Sequence, residues 1–212
     1  MKIQKFGHCC FIAEPKAGIR IMTDPGSFST SQNKATNITA VAITHEHGDH
    51  LHIDSLKEVL KNNPSAIVIT NTAVGKLLTE AGIAFTKVEE GETYDLDGVI
   101  IKGFGNTHAE IYEDYGQVQN TGYMIDALCY PGDAFHYPDI AVDILALPIA
   151  GPWMKTKESI EYAKKISPRI AFAVHDAIVS DKATFIYNMT EHFLSSFNVA
   201  FKKLEIEKEE EL

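Results

Sequence analysis

Four residues of metal-binding type, His45, His47, Asp49 and His50, fall within the segment Thr44-His45-Glu46-His47-Gly48-Asp49-His50. Imidazole suits zinc, iron and similar ions, and a carboxylate adds negative charge to a divalent site. His45 and His47 are two apart at the end of an apolar run, residues 40–44, which reads as a short buried strand. Alternation along a strand lets both side chains point the same way, toward one ion. Gly48 permits a tight turn that aims Asp49 and His50 at a neighbouring point. The motif therefore asks for two adjacent ions, and it completes neither site alone.

The elements that must position these side chains follow from the hydrophobic pattern. Strand-type runs at 3–6, 10–13 and 19–22 are broken by turn signals and followed by a Gly/Ser/Thr/Asn-rich loop over 26–37. After the motif, Ser55-Leu56-Lys57-Glu58 has the spacing of a capping box opening a short helix. A strand over 67–70 and a helix over 72–81 closed by Gly82 come next. Strands are expected at 84–88, 93–96, 99–104, 122–125, 127–130 and 144–147. A helix over 156–166 ends at Ser167-Pro168, a strand covers 170–174, and a final helix covers 180–197. This order suggests two sheets packed face to face with helices outside, a four-layer αββα sandwich of the α/β (α+β) class. No repeat or linker divides the chain, so residues 1–212 read as a single domain.

Three further ligand types each follow a predicted strand. His108 comes after 99–104 through Gly-Asn-Thr, Asp133 after 127–130 through Pro-Gly, and His175 directly after 170–174. Strand ends lie along one edge of a sheet, and loops at such an edge are where functional residues gather.

His-x-His-x-Asp-His, then Gly-x-x-His, a Gly-Asp after a strand and a late His resemble the metallo-β-lactamase-fold hydrolase superfamily over nearly the whole chain. Gly7-His8-Cys9-Cys10, Thr23-Asp24-Pro25, Asn120-Thr121-Gly122-Tyr123 and Leu147-Pro148-Ile149 narrow the resemblance. They are similar to small bacterial metal-dependent hydrolases that include ascorbate-6-phosphate lactonases and relatives of N-acylphosphatidylethanolamine phospholipase D. The resemblance implies a sandwich of the metallo-β-lactamase type holding two divalent ions, with zinc the default and manganese or iron fitting the same ligands. It implies that His45, His47 and His108 hold the first ion, that Asp49, His50 and His175 hold the second, and that Asp133 bridges both. Water shared by two such ions loses a proton near neutral pH and becomes the nucleophile. Asp49 is then the catalytic residue that orients it and relays its proton. Asp24 resembles a carboxylate that orients a ligand imidazole, with a turn-capping role as the alternative. His8 resembles a residue that approaches the site, or else packs as an ordinary buried histidine.

The expected reaction is hydrolysis of a small ester-like substrate: a lactone, phosphoester or amide. Metal binding without catalysis is one alternative. A diiron oxidoreductase on the same fold is another, disfavoured because His47 stands where that group has glutamate. A net charge of -10 argues against nucleic acid or an anionic membrane as partner. A small-molecule substrate is expected, with homo-oligomerisation left open. Residues 205–211 hold much of the acidic excess and read as a solvated terminus. The three cysteines form no Cys-x-x-Cys pair, there is no signal-like segment and no apolar run suits a membrane helix, so a soluble, cytoplasmic protein is expected. His52, His136, Tyr137, Trp153, Lys155 and Lys157 are weaker candidates for the rim of a pocket, and His192 reads as unrelated to catalysis.

Overall fold

β-rich, alternating segments at the N-terminus form an antiparallel meander, β1 (Lys2–Gly7), β2 (Cys10–Lys16) and β3 (Ile19–Thr23). The structure, a computed structural model, describes residues 1–212. The chain then alternates strand and helix through β4 (Ala40–Ala42), α1 (Ile53–Asn62), β5 (Ile67–Thr70), α2 (Thr72–Glu80) and β6 (Thr86–Lys87). A second meander, β7 (Thr93–Leu96), β8 (Val99–Phe104), β9 (Gly122–Ile125) and β10 (Leu128–Tyr130), follows. It continues into β11 (Ile144–Pro148), α3 (Thr156–Ile166), β12 (Ile170–Val174), α4 (Phe185–Ser195), β13 (Ala200–Lys202) and β14 (Glu209–Glu211).

Two sheets result, ordered β14-β1-β2-β3-β4-β5-β6 and β7-β8-β9-β10-β11-β12-β13. In each, the first three pairings are antiparallel and the last three parallel. The halves are therefore built alike, with β1 standing in its sheet where β8 stands in the other, and β3 where β10 stands.

Period-two alternation builds the layers. Ile3, Phe11, Ile21 and Ala42 face Val99, Ile125, Ile144 and Phe172 between the sheets. Outward residues Met22, Val41 and Val68 pack under Leu56, Val59, Val74 and Leu78 of the helices. Leu145 and Ala171 do the same under Tyr162, Ala163 and Leu194. The expected αββα sandwich is the observed architecture. No helix is long and apolar enough to cross a membrane.

Several boundaries differ from the sequence reading: the strand expected over 84–88 is only Thr86–Lys87, and that over 40–44 ends at Ala42. α1 begins three residues early, because the His52 imidazole, not Ser55, caps it by accepting from the Ser55 backbone N–H. The final helix opens as a separate 3-10 turn, Asp181–Ala183. The acidic terminus is a strand: β14 pairs with the edge of β1, with Lys2 opposite Glu211 and its Nζ 3.0 Å from Glu209. Its glutamates keep their charges at the surface while their backbone joins the ladder. Glutamate has weak strand preference, so only the partner edge reveals the strand.

Phe172 is fully buried, edge-on to Phe11 at 5.2 Å between the sheets. Phe172→Ala should cost about 3–5 kcal/mol, read as a lower urea midpoint at unchanged slope. A loss under about 1 kcal/mol would mean that this layer is not close-packed.

Candidate metal centre

The candidate ligands leave the same edge of the two sheets. His8 follows β1, Asp24 follows β3, and the His45–His50 turn follows β4, while His108, Asp133 and His175 follow β8, β10 and β12. His8, Asp24 and His175 have φ of 48°, 33° and 56°, in the left-handed region that costs a non-glycine residue energy. Two glycines allow the close approach of the loops. A Cβ on Gly26 would lie 1.8 Å from the Asp49 carbonyl oxygen, and one on Gly132 would lie 2.3 Å from Asn120 Oδ1.

Asp24 is fully buried and accepts hydrogen bonds from the Thr44 backbone N–H at 2.8 Å and the Thr44 hydroxyl at 2.7 Å. Its Oδ2 also accepts from His50 Nδ1 at 2.7 Å and from the Tyr130 hydroxyl. Asp24 thus orients His50, with Nδ1 as donor and Nε2 directed toward Asp133. The same pattern recurs elsewhere. His108 Nδ1 donates to the Ala109 carbonyl at 2.6 Å, and His45 Nδ1 lies 3.0 Å from the Thr44 hydroxyl. Anchoring one ring nitrogen fixes the tautomer and frees the other as a ligand.

The side chains fall into two groups. The ligand atoms of His45, His47 and His108 lie within 4.8 Å of one another, as do those of His8, Asp49, His50 and His175. Asp133 stands between them. Its Oδ2 is 4.0 Å from His45 Nε2, 3.5 Å from His108 Nε2 and 2.9 Å from His175 Nε2, and its Oδ1 is 3.1 Å from His50 Nε2. The Asp133 backbone N–H donates to Asn120 Oδ1 at 3.0 Å, which holds this loop in place.

These residues suit a divalent ion on a direct observation. His45 Nε2, His50 Nε2, His108 Nε2 and Asp133 Oδ1 are buried and lack a hydrogen-bond partner. Orphaned buried polar atoms are costly, and four converging on one volume fit bound cations. His47 and Asp49 are the partly exposed members and face the opening.

Burial pushes His45 well below the usual imidazole range, and lowers His47. Both are neutral and offer lone pairs. Burial also opposes charge on His50, but the Asp133 carboxylate 3.1 Å from its Nε2 and the hydrogen bond to Asp24 hold His50 well above its ordinary value. Burial opposes charge on Asp133 too, yet His50 and His175 keep it well below the carboxylate range. Asp49 is held at about 2: burial works against ionisation, and the His8 hydrogen bond with the His50 charge outweighs it.

Every residue expected as a ligand is brought to the centre, together with Asp24 and His8. The weaker candidates divide. Trp153 is buried as a wall, its ring centroid 6.1 Å from His108 and 5.8 Å from His175. His52 is a surface helix cap, and His136 bonds the Thr107 backbone carbonyl. Tyr137 stacks on Tyr162 under Lys165. Lys155 caps α3, and Lys157 lines a groove between α3 and α4 with Met189 and Phe193. His192 lies on α4. Sequence reasoning missed Thr44, Tyr130, Asn120 and Cys9, whose Sγ joins the His50 and Asp133 ligand atoms within 4.8 Å. Thr44 and Asn120 lay inside quoted motifs, whereas Tyr130 looked like any apolar strand residue.

The family model described as a beta-lactamase superfamily domain matches residues 2–175. A protein of Mycobacterium tuberculosis is 33% identical over 207 residues, covering 94% of this chain and 96% of that one. A metal-dependent hydrolase of Thermoplasma volcanium is 27% identical, covering 87% and 89%. A metallo hydrolase of the archaeon Ignicoccus hospitalis has the same fold, with a TM-score of 0.77 at 22% identity over 100% of this chain and 98% of that one.

Two outcomes follow from the geometry. Because His50 carries a proton in the metal-free protein, metal binding at neutral pH should release it, and affinity should rise with pH toward the raised His50 value. Calorimetry in buffers of different ionisation enthalpy reads that proton, and zero release contradicts the assignment. Asp24→Asn should weaken metal binding about 10–100-fold in a chelator competition, and unchanged affinity would show that Asp24 does not orient His50.

Proposed function

The chain belongs to the beta-lactamase superfamily domain family and is a metal-dependent hydrolase of the metallo-β-lactamase fold, and from that premise we propose a binuclear enzyme acting on a small ester-like substrate. The observation that carries this reading is the convergence of four orphaned, buried ligand atoms between two donor groups. His45, His47 and His108 would hold one ion, Asp49, His50 and His175 the other, and Asp133 both. Two divalent ions bound there would make a water acidic enough to act as nucleophile near neutral pH and would polarise the substrate oxygen.

The protein's own groups do the rest. Asp49, 21% exposed at its side chain and ionised, is aimed into the second group and partly open to solvent. It would orient that water, take up the proton the water loses and pass it to the leaving group. Trp153 and Phe28, the latter 4.9 Å from the His8 ring, give the opening apolar walls. Lys157, on the outer groove, does not serve as an anchor for substrate charge. The donor set fits lactone, phosphoester or amide hydrolysis, with zinc the default ion and manganese or iron compatible.

Metal analysis of protein purified without added metal, coupled to a panel of lactone, phosphodiester and amide substrates, tests this reading. Two ions per chain and turnover of one class are expected. His47→Ala and Asp133→Ala should abolish turnover and lose metal, and full metal content with full turnover in either variant would refute the ligand assignment.

A further inference from the structure

Resting on the binuclear reading above, we propose that His8 is a fourth protein ligand of the second ion, alongside Asp49, His50 and His175. Donor atoms about 2.1 Å from one ion, neighbours in its coordination shell, stand roughly 3.0–3.4 Å apart. Measured from Asp49 Oδ2, the nitrogens of His8, His50 and His175 lie at 3.1, 3.8 and 3.7 Å. His8 is therefore placed around the same point as the two expected ligands, and nearer to Asp49 than either.

Three further observations support the assignment. His8 is 2% exposed, and its ring is enclosed by Phe28 at 4.9 Å and His175 at 4.1 Å. Its left-handed backbone, φ 48°, is a conformation that a histidine adopts at a cost, and the His8 carbonyl accepts the His175 backbone N–H at 3.3 Å. That bond ties the two imidazoles of the second group together at the backbone. The topology supplies the third observation. β1 occupies the place in its sheet that β8 occupies in the other, and each is followed by a buried histidine, His8 and His108. Each half thus delivers one imidazole from its meander to a different ion.

The assignment makes the two ions unequal. With Asp133 counted for both, the second would have five protein donors and the first four, His45, His47, His108 and Asp133. Catalytic metal sites keep a position open, and closed donor sets are structural. The three-histidine ion would then be the less crowded of the two and the better placed to accept a substrate oxygen, while the other anchors the pair.

X-ray absorption of protein loaded with two cobalt ions, in wild type, His8→Ala and His8→Gln, tests the proposal, with circular dichroism to confirm folding. The imidazole count should fall by one in both variants, and a chelator should strip one ion on the order of 100-fold more readily while the other is retained. An unchanged count would overturn the proposal, leaving His8 as a hydrogen-bond partner of Asp49 and the binuclear reading intact. A wild type that binds fewer than two ions would overturn both.

Discussion

A carboxylate sealed from water holds the centre together. Asp24 is fully buried, where an ionised group is tolerated only if it is well supplied with donors. Its donors are the Thr44 backbone and hydroxyl, the Tyr130 hydroxyl and the His50 imidazole. Each is coupled to a ligand: Thr44 precedes His45, Tyr130 ends the strand before Asp133, and His50 is one itself. The carboxylate thereby joins the edges of both sheets at one point. Burial pushes the Tyr130 phenol well above its ordinary value, so it stays a donor.

That junction works because the sandwich is two similar halves facing each other. In both sheets an antiparallel meander runs into a parallel strand–helix segment, and the residues after β1 and β8, and after β3 and β10, reach the centre from matching strand ends. Asp24 stands after β3 where Asp133 stands after β10, yet one carboxylate is satisfied by protein donors and the other keeps an orphaned oxygen. One half supplies the support, the other the bridging group. The Thr44 carbonyl, which accepts from Thr121 N–H and from Asn71, stitches the halves beside the first histidine.

Much of this was legible in the residues. The His45–His50 cluster is local, and the rule that ligands follow strands located His108, Asp133 and His175 without any knowledge of pairing. The layers followed from period-two patterns, as at β4 and β12, where successive residues alternate between inner and outer clusters. What stayed hidden depends on distant partners. The glutamate-rich β14 becomes a strand only because the edge of β1 is there to receive it. Tyr130 reads as core until Asp24 is placed beneath its hydroxyl. His8 and Cys9 lie in a quoted motif, but their partners do not: the approach to Asp49 and His50 arises from the crossing of loops far apart in the chain.

Anomalous diffraction from crystals grown with divalent metal reads directly where the ions sit. Two peaks are expected, one among His45, His47 and His108 and one among Asp49, His50 and His175, with Asp133 reaching both. A single peak, or a pair with Asp133 turned away from either ion, would contradict the binuclear assignment.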